Sequence, residues 1–198
     1  MVIQQQQQLL LLLLLLLLPS HRRWSVSDAQ DWTSVKANDT HLRVVDLAFN
    51  HIRHLHSGAF VGLGRVDEIR LNDNALLGLP VHVIQQTPGV EVWELSGGSE
   101  VEVLATGSFS DNPWLRELRL SRLRRLRLID SRAFVNVTSL RRIDLSHSHN
   151  LRYISRSAFV GVEKLTSLVL TDSGLDTLEL HVIDSLPSVR EKFSVIRL

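Results

Sequence analysis

The sequence predicts an α/β solenoid, a coil of short units whose strands line up side by side in one curved parallel sheet. Three observations predict it. The stretch Leu140 to Val162, LRRIDLSHSHNLRYISRSAFVGV, recurs at an offset of twenty-five residues: Leu145 falls on Leu120 and Leu95, Ile154 on Ile129 and Leu104, and Phe159 on Phe134 and Phe109. Each unit carries apolar residues at its first, fourth and sixth positions. The fourth and sixth alternate inward along a short strand while the third, fifth and seventh point out. A unit this small buries its apolar set only by stacking on its neighbours, so a fixed period in the twenties implies a solenoid.

The chain opens with a run of five glutamines at residues 4–8 and ten leucines at residues 9–18, followed by Pro19, Ser20, His21, Arg22 and Arg23. Ten apolar residues are too few to cross a bilayer, which takes about twenty. They suit the apolar region of a secretory signal peptide, so residues 1–20 are expected to be one, with cleavage after the small Ser20. The missing basic side chain before the leucines and the arginines soon after them depart from that pattern. A low-complexity tract with no targeting role is the alternative. Residues 21–41, with Trp24, Val26, Trp32 and Val35 in partial alternation, are expected to cap the apolar edge of the first repeat.

Six units then fill residues 42–189. The first uses Leu42, Val45, Leu47, Asn50, Ile52, Leu55 and Phe60; the second Val66, Ile69, Leu71, Asn74, Leu76, Leu79 and Ile84; the third Val90, Trp93, Leu95, Val101, Leu104 and Phe109. The fourth uses Leu115, Leu118, Leu120, Leu126, Ile129 and Phe134, the fifth begins at Leu140, and the sixth has Leu165, Leu168, Leu170, Leu175, Leu178 and Ile183. Residues 190–198 read as an incomplete seventh unit. With Phe193, Val195, Ile196 and Leu198 close together, that end is expected to self-associate as an uncapped edge.

This pattern resembles the leucine-rich repeat, L-x-x-L-x-L-x-x-N. The third to fifth units, which read SGGSEV, SRLRRL and SHSHNL after the strand, carry one extra residue. They look like repeats in the extracellular domains of glycoprotein-hormone receptors and related animal surface proteins. The resemblance implies a horseshoe with a curved parallel β-sheet on its concave face. It also implies protein recognition outside the cell, in adhesion, signalling or innate immunity, as a secreted protein or as part of a receptor ectodomain. An intracellular scaffold or regulatory adaptor is the competing reading, since a fold does not assign a function.

Side chains off the strands have expected structural roles. Asn50, Asn74 and Asn150 can satisfy backbone groups at the turn after the strand, because an amide both donates and accepts; Ser173 can do so less completely. Phe60, Phe109, Phe134 and Phe159 are expected to fill the core beneath the convex side.

The outward strand positions make up the candidate binding face. The fifth position reads Asp46, Arg70, Glu94, Arg119, Asp144 and Val169. Its alternating signs predict either a self-neutralising ladder worth little net stability or direct partner contact. At positions two, three and eight, the earlier repeats contribute Asp67, Glu68, Asp73 and Glu91, the later ones Arg116, Arg122, Arg141 and Arg142. That predicts a polarised face able to orient a protein partner. Arginine is also dense from Arg116 to Arg156, including Arg124, Arg125, Arg127, Arg132 and Arg152, a candidate docking site for an acidic polysaccharide or an acidic protein. Nucleic acid fits poorly, because aromatic residues do not interleave with these arginines. Sequons at Asn38 and Asn136, completed by Thr40 and Thr138, are candidate N-glycosylation sites and agree with secretion.

The remaining composition narrows the chemistry. The 198 residues include no cysteine, which removes disulfides, thiolate zinc sites and thiol nucleophiles, and the net charge is +1. The absence of cysteine weighs on the side of an intracellular protein. His51, His54 and His56, with the pair His147 and His149, lack converging acidic ligands, so no metal is expected. No nucleophile, base and orienting group stand together, no cofactor is implied, and the reading is non-enzymatic. Beyond the leucine run, no stretch is long and apolar enough to span a membrane.

Overall fold

The computed structural model describes residues 43–55, 59–60 and 66–175, together with Val182 and Leu186. The expected signal peptide, the amino-terminal cap with its tryptophans, Asn38, His56, Leu178, Ile183 and the incomplete seventh unit lie outside the described residues.

Twelve short strands and one helical turn follow each other along the described chain. They are β1 (Val44–Asp46), β2 (Glu68–Arg70), α1 (Val81–Gln85), β3 (Val92–Glu94), β4 (Val103–Leu104), β5 (Phe109–Ser110) and β6 (Glu117–Arg119), then β7 (Leu128–Ile129), β8 (Phe134–Val135), β9 (Arg142–Asp144), β10 (Tyr153–Ile154), β11 (Phe159–Val160) and β12 (Ser167–Val169). All pairing is parallel. A six-stranded sheet runs β1-β2-β3-β6-β9-β12, and two three-stranded sheets, β4-β7-β10 and β5-β8-β11, complete each turn of the third to fifth units. The result is a parallel-strand leucine-rich-repeat solenoid.

The register of the large sheet matches the period of the sequence. Val45 pairs with Ile69, Ile69 with Trp93, Trp93 with Leu118, Leu118 with Ile143, and Ile143 with Leu168. All six point inward and are essentially fully buried. A slip by one residue in any strand would turn its apolar residue to solvent and bring charge inside, so burial alone fixes the register.

Helix is scarce. Helix among the described residues is limited to the five residues of α1 and Val182, and the opposite side of the third to fifth units is built from two-residue strands. A helix advances about 1.5 Å per residue against about 3.3 Å for a strand, so a short unit covers its perimeter better with extended chain. Phe-Ser and Phe-Val pairs favour this, because aromatic and β-branched residues suit pleated surfaces. Their rings form the expected spine. Phe109 stacks on Phe134 at 5.3 Å and 6°, and Phe134 on Phe159 at 4.9 Å and 11°. In the second unit Ile84 of α1 fills the corresponding space, and Phe60 instead tilts against Trp93 at 6.2 Å.

The turn after each concave strand shows which polar residues matter. Asn74 donates through Nδ2 to the carbonyls of Leu47 (2.8 Å) and Leu71 (3.0 Å), and its Oδ1 accepts from the Ile52 amide (3.0 Å). Asn50 donates to Leu47 and Ala48 in the same way. Asn150 differs from expectation in place: it is exposed and donates to the Arg124 carbonyl at 2.6 Å. In its unit the inner position belongs to Ser148, whose Oγ accepts from the Leu123 amide at 3.3 Å. The extra residue of the longer repeats shifts asparagine outward. Ser173 does not take up the role either, for its buried Oγ has no partner among the described residues.

A candidate recognition face on the six-stranded sheet

Two rows of side chains stand on the outer face of the large sheet. Register places Val44, Glu68, Val92, Glu117, Arg142 and Ser167 in one row and Asp46, Arg70, Glu94, Arg119, Asp144 and Val169 in the other. The charged members fuse into one network. Arg70 reaches Asp46 (3.3 Å), Glu68 (2.8 Å) and Glu94 (3.9 Å); Arg119 reaches Glu68 (3.0 Å), Glu94 (3.3 Å) and Glu117 (3.0 Å). Arg142 continues it to Glu117 (3.7 Å), Asp144 (3.5 Å) and the Ser167 hydroxyl (3.2 Å). Arg119 spans two units to Glu68 because the intervening row position is the short, uncharged Val92.

Glu68 is the hinge of this network. Its side chain is only 16% exposed, so burial opposes its ionisation, yet hydrogen bonds from Arg70 and Arg119 and their charges outweigh that and hold its carboxyl below the usual range. Arg119 is held more firmly protonated, chiefly by its hydrogen bond to Glu117 against an opposing cost of burial, with Glu94 and Glu68 adding to it. Arg70 is raised in the same sense, first through its bond to Glu68.

The balance of charge is acidic. In these two rows five carboxylates, Asp46, Glu68, Glu94, Glu117 and Asp144, face three guanidiniums, Arg70, Arg119 and Arg142, which leaves two negative charges over. Glu117 was missing from the face expected from sequence. The signal for it was present: it occupies the third position of the fourth repeat, in register with Arg142.

The expected gradient along the sheet is largely cancelled by pairing. Arg43 meets Asp67 at 3.0 Å, Arg116 meets Glu91 at 3.0 Å, and Arg122 meets Asp73 at 2.9 Å. Arg116 and Arg122 of the expected set each turn toward an acid of an earlier repeat, so there the separation seen along the chain becomes contact in space. Arg141 is the member of the set with no carboxylate partner among the described residues, and it is exposed.

Other candidate residues fall away from this face. Asn136 is exposed in the strap that follows β8, with φ +54°, a left-handed conformation that asparagine tolerates better than most residues, and Gly161 takes the equivalent conformation one unit later. His147 pairs through Nδ1 with Asp172 at 3.0 Å, and no group of three potential metal ligands converges among the described residues. No described helix is long and apolar enough to cross a membrane.

Comparison with known proteins agrees with this architecture. Tsukushi from Rattus norvegicus is 32% identical over 95 residues, which are 46% of this chain and 27% of that protein. A chain in the structure of the Toll–Spatzle complex, described as a molecular hub in Drosophila development and innate immunity, superposes with a TM-score of 0.68. It is 26% identical and matches 75% of this chain and 19% of its own. No protein-family model matches. The chain thus spans about a quarter of the curated relative it resembles, and its repeats are those of a leucine-rich-repeat protein similar to animal extracellular ones.

Proposed function

We propose that this leucine-rich-repeat chain is a non-enzymatic extracellular recognition module that binds a protein through its six-stranded sheet, with basic groups on the partner meeting the acidic excess there. The observation that carries the reading is the continuous network from Asp46 to Ser167. It presents a pre-organised polar surface with two unmatched negative charges, and so rejects acidic partners while orienting basic ones. Six strands spaced about 4.8 Å apart give a face long enough for a standard interface of about 800 Å² per partner. The likeness to Tsukushi and to the Toll–Spatzle structure supports the extracellular setting and a protein ligand. An uncleaved intracellular adaptor remains the competing reading.

Expression in a secretory eukaryotic line tests the location. Tagged protein in the medium that shifts down after glycan removal is the expected result; full-length protein confined to the cytosol, with no shift, contradicts it. A binding screen against extracellular proteins tests the face. Asp144→Arg and Glu94→Arg should each abolish the captured interaction, whereas Gln85→Arg, on α1, should leave it unchanged.

A further inference from the structure

The flank of the solenoid that carries β7 and β10 has a different charge economy from the sheet. Between them, residues 121–132 and 146–157 contain seven arginines, at 122, 124, 125, 127, 132, 152 and 156, against the single acid Asp130. Carboxylates of other units answer three of these: Asp73 meets Arg122, Glu100 and Glu102 meet Arg125, and Glu102 meets Arg127. Arg124, Arg132, Arg152 and Arg156 have no carboxylate partner among the described residues. Asp130 makes no ion pair among the described residues; its Oδ1 accepts from the Ser131 amide at 2.7 Å.

The four uncompensated arginines border β7 and β10, Arg124 and Arg152 ahead of these strands and Arg132 and Arg156 after them, on one ridge of adjacent units. Arg152 follows Arg127 in register, its amide donating to the Arg127 carbonyl at 2.9 Å, and the Arg132 amide donates to the Ser157 carbonyl at 2.7 Å, which sets Arg132 beside Arg156. Units lie about 4.8 Å apart, within one Debye length at physiological salt, so the charges act on a ligand together.

We infer that this ridge binds a sulfated linear polysaccharide. All the cations are arginines, whose planar guanidinium matches the geometry of oxyanions bidentately. Arg132 and Arg156 stand at a convex corner of the coil, between β7 and β8 and between β10 and β11, with Ser131, Ser155 and Ser157 next to them in sequence, while Arg124 and Arg152 precede β7 and β10. A convex corner cannot enclose the apolar anchor on which protein interfaces depend, but a polyanionic chain can drape over it. Stacking of successive nucleobases needs a row of rings, and here the exposed rings are Tyr153 and the imidazoles of His147 and His149, which meet edge-on at 6.3 Å rather than forming a row. The site is separate from the sheet and does not depend on what the sheet binds.

The test is titration of the secreted chain with a heparin dodecasaccharide at about 0.15 M NaCl, with the desulfated oligosaccharide, poly-glutamate and oligothymidine as comparisons. Heparin should bind, and more weakly as salt is raised. The triple variant Arg124→Gln, Arg132→Gln, Arg156→Gln should weaken binding by about tenfold or more, since each exposed contact contributes severalfold. Arg53→Gln, an exposed arginine of the first repeat, should change it by less than about twofold. Circular dichroism checks that each variant is folded. No heparin binding, an equal loss in Arg53→Gln, or equally tight binding of any of the three comparison ligands would overturn the inference.

Discussion

Arg122 Nη2 lies 2.9 Å from Asp73 Oδ2, although the two residues belong to units separated by a whole repeat. Gly97 makes this possible. A Cβ at Gly97 would sit 2.3 Å from Asp73 Oδ1 and 3.4 Å from Arg122 Nη2, so any side chain there would stand between the partners. Asp73, Gly97 and Arg122 occupy the same left-handed position after β2, β3 and β6. Removing the side chain in the middle unit joins its neighbours.

The Asp73–Arg122 pair is half-exposed on the arginine side, so its coupling should be small. A double-mutant cycle with Asp73→Ala and Arg122→Ala, followed by chemical denaturation, should return about 0.2–1 kcal/mol, shrinking at high salt.

Gly98 is less forgiving than Gly97. It also has positive φ, at +55°, and a Cβ there would lie 2.3 Å from the Asn74 carbonyl oxygen and 2.9 Å from its amide nitrogen, both backbone atoms. Gly98→Ala should therefore lower stability by at least about 1–2 kcal/mol from the left-handed conformation alone, with the backbone clash adding to it. Gly97→Ala should cost less, because the Asp73 carboxylate can swing aside. Equal losses in thermal melts of the two variants would contradict this.

Phe134 lies between Phe109 and Phe159 in the stacked spine and is fully buried. Phe134→Ala should cost about 3–5 kcal/mol, through lost burial and the cavity left behind. Because each unit is stable only against its neighbours, the loss should appear as a lower midpoint for the array rather than as local fraying.

Glu68 sets a pH dependence. A carboxyl whose pKa is depressed by folding contributes stability that is present above its unfolded value, here near 4.5, and is lost as pH falls through the folded value. Denaturation midpoints should fall on acidification below about pH 4.5, and Glu68→Gln should flatten that fall. At neutral pH the same variant should be less stable, because Arg70 and Arg119 lose a shared acceptor.

Period and register were legible in the sequence because burial enforces them. Every fourth- and sixth-position residue from Val45 to Leu170 lies inside, and the phenylalanines stack where the twenty-five-residue offset puts them. The large sheet followed from the same alternation. The scarcity of helix on the opposite side did not, since the pattern L-x-x-L-x-L constrains only the strand half of a unit. Arg119 reaching Glu68 was also hidden, for it depends on side-chain length across Val92, not on register. The displaced role of Asn150 shows the same limit: one inserted residue keeps the period and changes which side chain faces the turn.

The central claim is that the six-stranded sheet is the surface that meets the partner. The most direct measurement is photo-crosslinking of the chain on cells, with a photoreactive residue at Val169, at the end of the row that begins at Asp46, or at Val135 in β8. A discrete crosslinked protein from Val169 that is absent from Val135, and that disappears with Glu94→Arg, is the result the account predicts. The same adduct from Val135, or an adduct from Val169 that survives Glu94→Arg, would contradict it.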